Sequence, residues 1–235
     1  MKSTFQPAYI IIGENMKEET FKKSVYIVLF ILIVIFFTKD CNFFFGFYKN
    51  IHQIKNPDDI LVLVNKNNKL NEDYMPKDLE AIDINYAMEE KYVRKEVKTA
   101  FEALAKKAKE EGYQIVAVSA FRSYSYQDEL YHSYIKTSGK SYADRCSARP
   151  GHSEHQTGLA IDVMGENQDY NKFAETKEFQ WMQKHAHEYG FILRYPENFE
   201  DVTGFKYEPW HYRYVGIDAA KKIKEKNTCL ELYLH

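Results

Sequence analysis

His155 and Asp162 stand seven positions apart with Gly158 between them, and Glu208 and His211 stand three positions apart about fifty residues downstream. Two imidazoles and two carboxylates make up the inventory of a catalytic zinc site: three protein ligands, a fourth position open to water, and a carboxylate left over as general base. On that reading His155, Asp162 and His211 are the ligand candidates and Glu208 is the candidate base. The Glu208-x-x-His211 spacing is not the helical HExxH of other zinc peptidases, so that motif does not apply. His152, three residues before His155 in the same loop, is a rival ligand that spacing alone does not separate from it. His185 and His187 lie two apart in a helical run, on divergent faces, and are expected at the surface.

These residues need elements to position them. From Gly158 onward Leu159, Ile161 and Val163 alternate with Ala160, Asp162 and Met164, the period of a strand. A carboxylate inside such a strand is costly unless it is paired or binds a cation, which makes Asp162 more informative than either histidine. The bland alternative is an aspartate bonding to backbone amides at a strand end. Alternation after Pro209 puts His211 and Arg213 on one strand face and Trp210, Tyr212 and Tyr214 on the other. Upstream, Val93, Val97, Phe101, Leu104 and Ala108 predict an amphipathic helix over 92–111 closed by Gly112. A buried strand over 115–120 then delivers Phe121, Arg122 and Ser123. Ser125 and Asp128 read as a capping box opening a helix that turns Leu130, Tyr134 and Ile135 inward and carries Gln127 in its first turn. Arg122 and Gln127 thus flank a strand-to-helix junction, a common place for substrate contacts, although a surface arginine and a polar cap would look the same. A strand over 60–64 ended by a turn at 65–69, a helix around Phe179, Met182, Ala186 and Tyr189 capped by Gly190, and a last helix through Ala219, Ala220 and Ile223 complete the plan.

The chain has 235 residues, 45% of them apolar, enough for one domain with a real core. A net charge of −2 gives no basic field, so nucleic acid is not an expected partner. The three cysteines, Cys41, Cys146 and Cys229, show no CxxC spacing and do not form a metal cluster; a Cys146–Cys229 bridge is the one pairing considered. Residues 25–37 are all apolar and follow Lys22 and Lys23. A helix of that length covers roughly 20 Å, short of the ~30 Å hydrocarbon core, unless the aromatic residues at 43–48 extend it. No Ala-x-Ala site follows, so an uncleaved signal-anchor is expected, with a cleaved signal peptide as the alternative. The expected division is a cytoplasmic segment over 1–24, a membrane anchor or signal over 25–48, a linker over 49–59 and a catalytic domain over 60–235. Met16 opens a more ordinary targeting sequence than Met1 and is a second candidate start.

Taken together, Ser153-x-His155-x6-Asp162 and Glu208-x-x-His211 resemble the pattern of the VanY-type D-alanyl-D-alanine carboxypeptidases, zinc peptidases related to VanX and the hedgehog signalling domain. The resemblance spans roughly 60–216 and includes the opening at 61–66, Ser119 through Ser123, Gln127, and Arg149 through Gly158. It implies an α+β fold, with a small antiparallel sheet carrying the zinc site and helices around it, behind an N-terminal membrane helix. It implies one Zn2+ per chain on His155, Asp162 and His211, which decides against His152. It implies Glu208 as catalytic base, Arg122 as the cation facing the developing oxyanion, and Arg122, Gln127 and Ser153 as substrate contacts. The expected activity is removal of the terminal D-alanine from peptidoglycan stem peptides by a single-pass bacterial membrane protein with its catalytic domain outside the cytoplasm, or by a secreted one after signal cleavage. L,D-carboxypeptidase action on tetrapeptide stems is the nearer alternative, and a non-catalytic zinc-stabilised wall-binding module the more distant one. Oligomeric state is not legible.

Overall fold

The computed structural model describes residues 46–165 and 170–235. Tyr48–His235 form one compact unit. The apolar run at 25–37, and the expected segments 1–24 and 25–48 almost entirely, lie outside the described residues; among the described residues no helix is long and apolar enough to cross a membrane.

The strands are β1 (His52–Gln53), β2 (Asn68–Lys69), β3 (Leu79–Ala81), β4 (Tyr92–Arg94), β5 (Val116–Ser119), β6 (Ala160–Met164), β7 (Phe191–Leu193) and β8 (His211–Tyr214). Between them run the helices α1 (Lys95–Glu110), α2 (Tyr124–Ser138), α3 (Lys140–Cys146), α4 (Lys177–His185) and α5 (Glu200–Thr203), and after β8 come α6 (Ile217–Glu225) and α7 (Leu230–Tyr233). The central sheet is antiparallel with order β5-β6-β8-β7. Its pleat divides the side chains as the alternation predicts, except that Met164, at the end of β6, joins the main core. Leu159, Ile161, Val163, Tyr212 and Tyr214 enter the main core with Val97, Phe101, Leu104 and Ala108 of α1. Full burial of residues of this size favours folding by ~1.5–3 kcal/mol each, so α1 is held mainly by this face. Asp162, His211 and Arg213 point to the opposite side.

Helix α1 ends as a Schellman motif: Gly112 has φ +84°, its N–H reaches Lys109 O and Tyr113 N–H reaches Ala108 O. Its start differs from the periodicity, because Val93 is a buried residue of β4, paired with Glu80, rather than the first helical position. Ser123, not Ser125, caps α2, its Oγ accepting from Tyr126 N–H. Its buried residues are Gln127 and Tyr131, while Leu130 and Tyr134 line a cleft.

Residues 60–64 form no strand. Residues 60 and 61 belong to a turn closed by Val62 N–H on Asp59 O, and 62–64 follow without regular structure, with Val62 and Val64 in the main core and Leu61 and Leu63 packed on a second cluster that includes Ile192, Val215, Ile223 and Leu230. The Arg213 guanidinium reaches across with Nη2 to Ile60 O (2.8 Å) and Val62 O (2.9 Å), occupying carbonyls that a neighbouring strand would otherwise serve. The expected linker at 49–59 is part of the domain. β1 pairs with β2, Ile54 packs on the core, and Tyr74 Oη donates to Pro57 O at 3.0 Å. Cys146 and Cys229 are free thiols, so the bridge considered from the sequence is not formed.

Candidate active site

The sheet register builds most of the site. Asp162 of β6 lies directly opposite His211 of β8 and, on its other side, opposite Ser119 of β5. Opposed residues of an antiparallel pair share a face, so the pairing alone brings the Asp162 carboxylate to the His211 imidazole. His155 arrives from a 3-10 turn, Glu154–Thr157, that ends at Gly158 with φ +66°. A Cβ on Gly158 would stand 3.0 Å from Leu79 Cδ2 and 3.2 Å from Arg94 N, so both the turn and the close approach of β4 require glycine. His155 Nδ1 donates to Ala120 O at 2.6 Å, which leaves Nε2 as the lone-pair nitrogen.

Asp162 Oδ1 is 3.4 Å from His155 Nε2 and 3.3 Å from His211 Nδ1. These separations exceed good hydrogen bonds but match the ~3.3 Å edge of a tetrahedron with bonds of ~2.0–2.1 Å. All three ligand atoms lie within 4.8 Å of one another, and both His155 Nε2 and Asp162 Oδ1 are buried without a hydrogen-bond partner. Buried polar atoms converging unpaired on one point are what a zinc ion would satisfy, so the donor set fits the metal. Burial, with Arg122 adding to it, pushes the His155 pKa down to about 4, which keeps the imidazole neutral and able to ligate. Burial pushes the Asp162 carboxyl up, but the facing imidazoles outweigh it and hold the group well below its ordinary value, as a carboxylate.

Glu208 sits in the turn that enters β8, its Oε2 3.4 Å from His211 Nδ1 and its N–H bonded to Tyr195 O. Burial raises its pKa against the pull of His211, and Asp162 adds to the rise. A carboxylate made more basic beside a ligand set has the property a general base needs. Arg122 Nη1 donates to Ser119 Oγ at 3.2 Å and lies 3.9 Å from Asp162 Oδ2. Arg122, Ser153, Glu208 and the triad all line one cleft of ≈590 Å³, walled by Tyr134, Phe205 and Trp210.

One expectation drawn from the sequence changes under this geometry, that for Gln127, while the exclusion of His152 implied by the resemblance holds. Gln127 is 1% exposed and lies behind the cleft wall, its Nε2 donating to Ser147 Oγ (3.2 Å) and Ala148 O (2.8 Å). It holds two cleft-lining residues in place instead of facing the cleft. His152 is excluded from the triad: Nδ1 donates to Asn65 O at 2.8 Å and the ring meets Tyr48 edge-on. Its burial pushes the His152 pKa from 6.5 down to about 4. The unfolded chain therefore binds the extra proton between pH 4 and 6.5, and the stability linked to His152 is present above 6.5 and lost as pH falls toward 4. At order of magnitude the loss reaches up to about 3 kcal/mol. Urea unfolding of the wild type and His152→Gln over this range checks it: the variant is expected to show the shallower pH slope, and equal slopes would refute the linkage.

Glu154 is not legible from the sequence as a site residue. It is fully buried, its Oε1 accepting from Arg194 Nε and Arg213 Nη1, both at 2.7 Å, while Oε2 faces His211 Nε2 at 3.6 Å. A charge set among apolar residues in Phe191–Leu193 followed by Arg194, and again at Arg213 within β8, is the signal that points to it.

A mixed helix-and-sheet domain with a buried two-histidine, one-aspartate site and an adjacent carboxylate defines a class of metal-dependent hydrolase. Residues 90–217 match the family model described as VanY, D-alanyl-D-alanine carboxypeptidase, and the chain belongs to that family. Among its relatives, "Putative carboxypeptidase YodJ" of Bacillus subtilis (strain 168) is 43% identical over 190 residues, 78% of this chain and 70% of the relative. The solved structure of the LdcB LD-carboxypeptidase is 42% identical with a TM-score of 0.74, covering 79% of this chain and 90% of that one. A vancomycin-resistance D,D-pentapeptidase VanY mutant from the VanB-type cassette, solved in complex with Zn(II), is 31% identical with a TM-score of 0.65, covering 74% and 98%.

Proposed function

We infer that this chain is a zinc-dependent D-alanyl-D-alanine carboxypeptidase acting on peptidoglycan stem peptides, with one zinc per chain on His155, Asp162 and His211. The observation that carries the reading is the convergence of three buried ligand atoms beside a carboxylate of raised basicity, in a chain of the VanY family. Zinc held by these three residues would supply Lewis acidity toward the scissile carbonyl and toward water. Glu208 accepts a proton from the attacking water at its carboxylate and passes it to the departing amine nitrogen. Arg122, on the cleft side of Asp162, places a cation where negative charge develops on the carbonyl oxygen. Ser153 at the cleft wall offers a hydroxyl to the free terminal carboxylate, and Gln127 fixes the Ser147–Ala148 wall beside it.

L,D-carboxypeptidase action on tetrapeptide stems is the second reading. It is favoured by the higher identity and TM-score toward the LdcB structure than toward VanY. Assaying D-alanine release from a pentapeptide ending in D-Ala-D-Ala and from the tetrapeptide lacking the last residue separates the two. Faster release from the pentapeptide is expected; release from the tetrapeptide alone would replace the D,D assignment by the L,D one.

The apolar run at 25–37 behind Lys22 and Lys23 supports a tether that leaves the domain on the outer side of a bacterial membrane. Fractionation of cells, followed by protease treatment of intact protoplasts, tests this: a membrane-bound, protease-accessible domain is expected, and a protected one would refute it.

A further inference from the structure

We propose that Glu154 is a positioning residue that fixes His211 as an Nδ1 metal ligand, and that the C-terminal helix α7, through Glu231, completes the charge network that holds Glu154 in place. Glu154, Arg194 and Arg213 are each 0% exposed. Arg194 donates Nε to Glu154 and presents its other two nitrogens to both oxygens of Glu231, at 2.8 and 2.7 Å. Arg213 donates to Glu154 and, with its remaining nitrogens, to backbone carbonyls. The buried group thus balances two guanidiniums against two carboxylates.

Its geometry is asymmetric in a way that serves His211. Glu154 Oε1 takes both arginine bonds, which leaves Oε2 without a hydrogen-bond partner and aimed at His211 Nε2. An acceptor there keeps the proton on Nε2 and the lone pair on Nδ1, the nitrogen that faces Asp162 Oδ1. Loss of either carboxylate leaves the network with a net positive charge beside a site for a dication. Glu231 lies beyond residue 217, where the family match ends, so this link ties the metal site to a segment outside the matched stretch.

The inference rests on the zinc reading of the triad, and zinc affinity of the full chain tests both. Competition with a chromophoric chelator is read for the wild type, Glu154→Gln and Glu231→Gln, alongside the thermal midpoint of each apoprotein and the NMR resonance of the His211 Nε2 proton in the zinc-loaded state. Glu154→Gln is expected to bind zinc about 10–100-fold more weakly and to shift that resonance, and Glu231→Gln to lose about threefold or more. Wild type that binds no zinc defeats the zinc reading and this inference with it. Wild type that binds zinc while both variants bind it equally well overturns only this inference, as does weakened binding with the His211 resonance unmoved. Should Glu154→Gln fail to fold, Glu231→Gln decides by the same two readouts.

Discussion

Glu208→Gln is expected to keep its zinc and lose turnover. The amide has the shape of the carboxylate, so the cleft and the triad remain, but it cannot take a proton from water. Positioned acid–base groups contribute about 10²–10⁴-fold, and kcat is expected to fall by that factor. The buried position of Glu208 and its raised pKa make the effect specific, since no other carboxylate among the described residues lines the cleft without belonging to the His155–Asp162–His211 triad or being bonded to arginines. Metal content by elemental analysis and single-turnover kinetics measure the two halves separately. Activity equal to wild type would remove Glu208 from the mechanism.

Asp162→Asn carries the second large effect, on metal binding. The carboxylate is the only anionic member of the triad, and it also faces the Arg122 guanidinium at 3.9 Å. Its amide replacement leaves two buried imidazoles and a nearby cation with no negative charge to offset a dication. Zinc sites with apparent binding energies of ~10–16 kcal/mol distribute them over about four ligands, so loss of one predicts roughly 100-fold weaker binding or more. A ligand that binds only the native state raises its stability by mass action. At equal zinc concentration, zinc is therefore expected to raise the thermal midpoint of the wild type by clearly more than that of Asp162→Asn. An equal rise in both would show that Asp162 is not a ligand.

How far the sequence shows these features depends on how far apart the interacting residues lie. Asp162 and His211 are legible because each sits in its own short alternating run, and a charged or imidazole side chain on a buried strand needs a partner. Arg122 and Ser153 are legible as candidates and do reach the cleft. Gln127 is not, because its place behind the wall is set by its bonds to Ser147 and Ala148, some 20 residues away, which only the fold brings beside it. Residues 60–64 look like a strand by β-branching, yet whether such a run pairs depends on what lies beside it, and here that is the side chain of Arg213. Glu154 hides for the same reason: its partners are 40 and 59 residues away, and only the fold brings them together. The overall α+β character, the amphipathic α1 and the last long helix α6 are local patterns and appear in the structure close to where periodicity puts them.

Release of a terminal D-alanine is expected to require zinc on His155, Asp162 and His211. The most direct test is one measurement on one substrate: D-alanine released from a pentapeptide stem by the purified protein as isolated, after removal of metal by chelation, and after return of one equivalent of zinc. Release that disappears with the metal and returns with stoichiometric zinc is predicted. Release that persists in the metal-free protein, or none from protein shown to hold one zinc per chain, would contradict it.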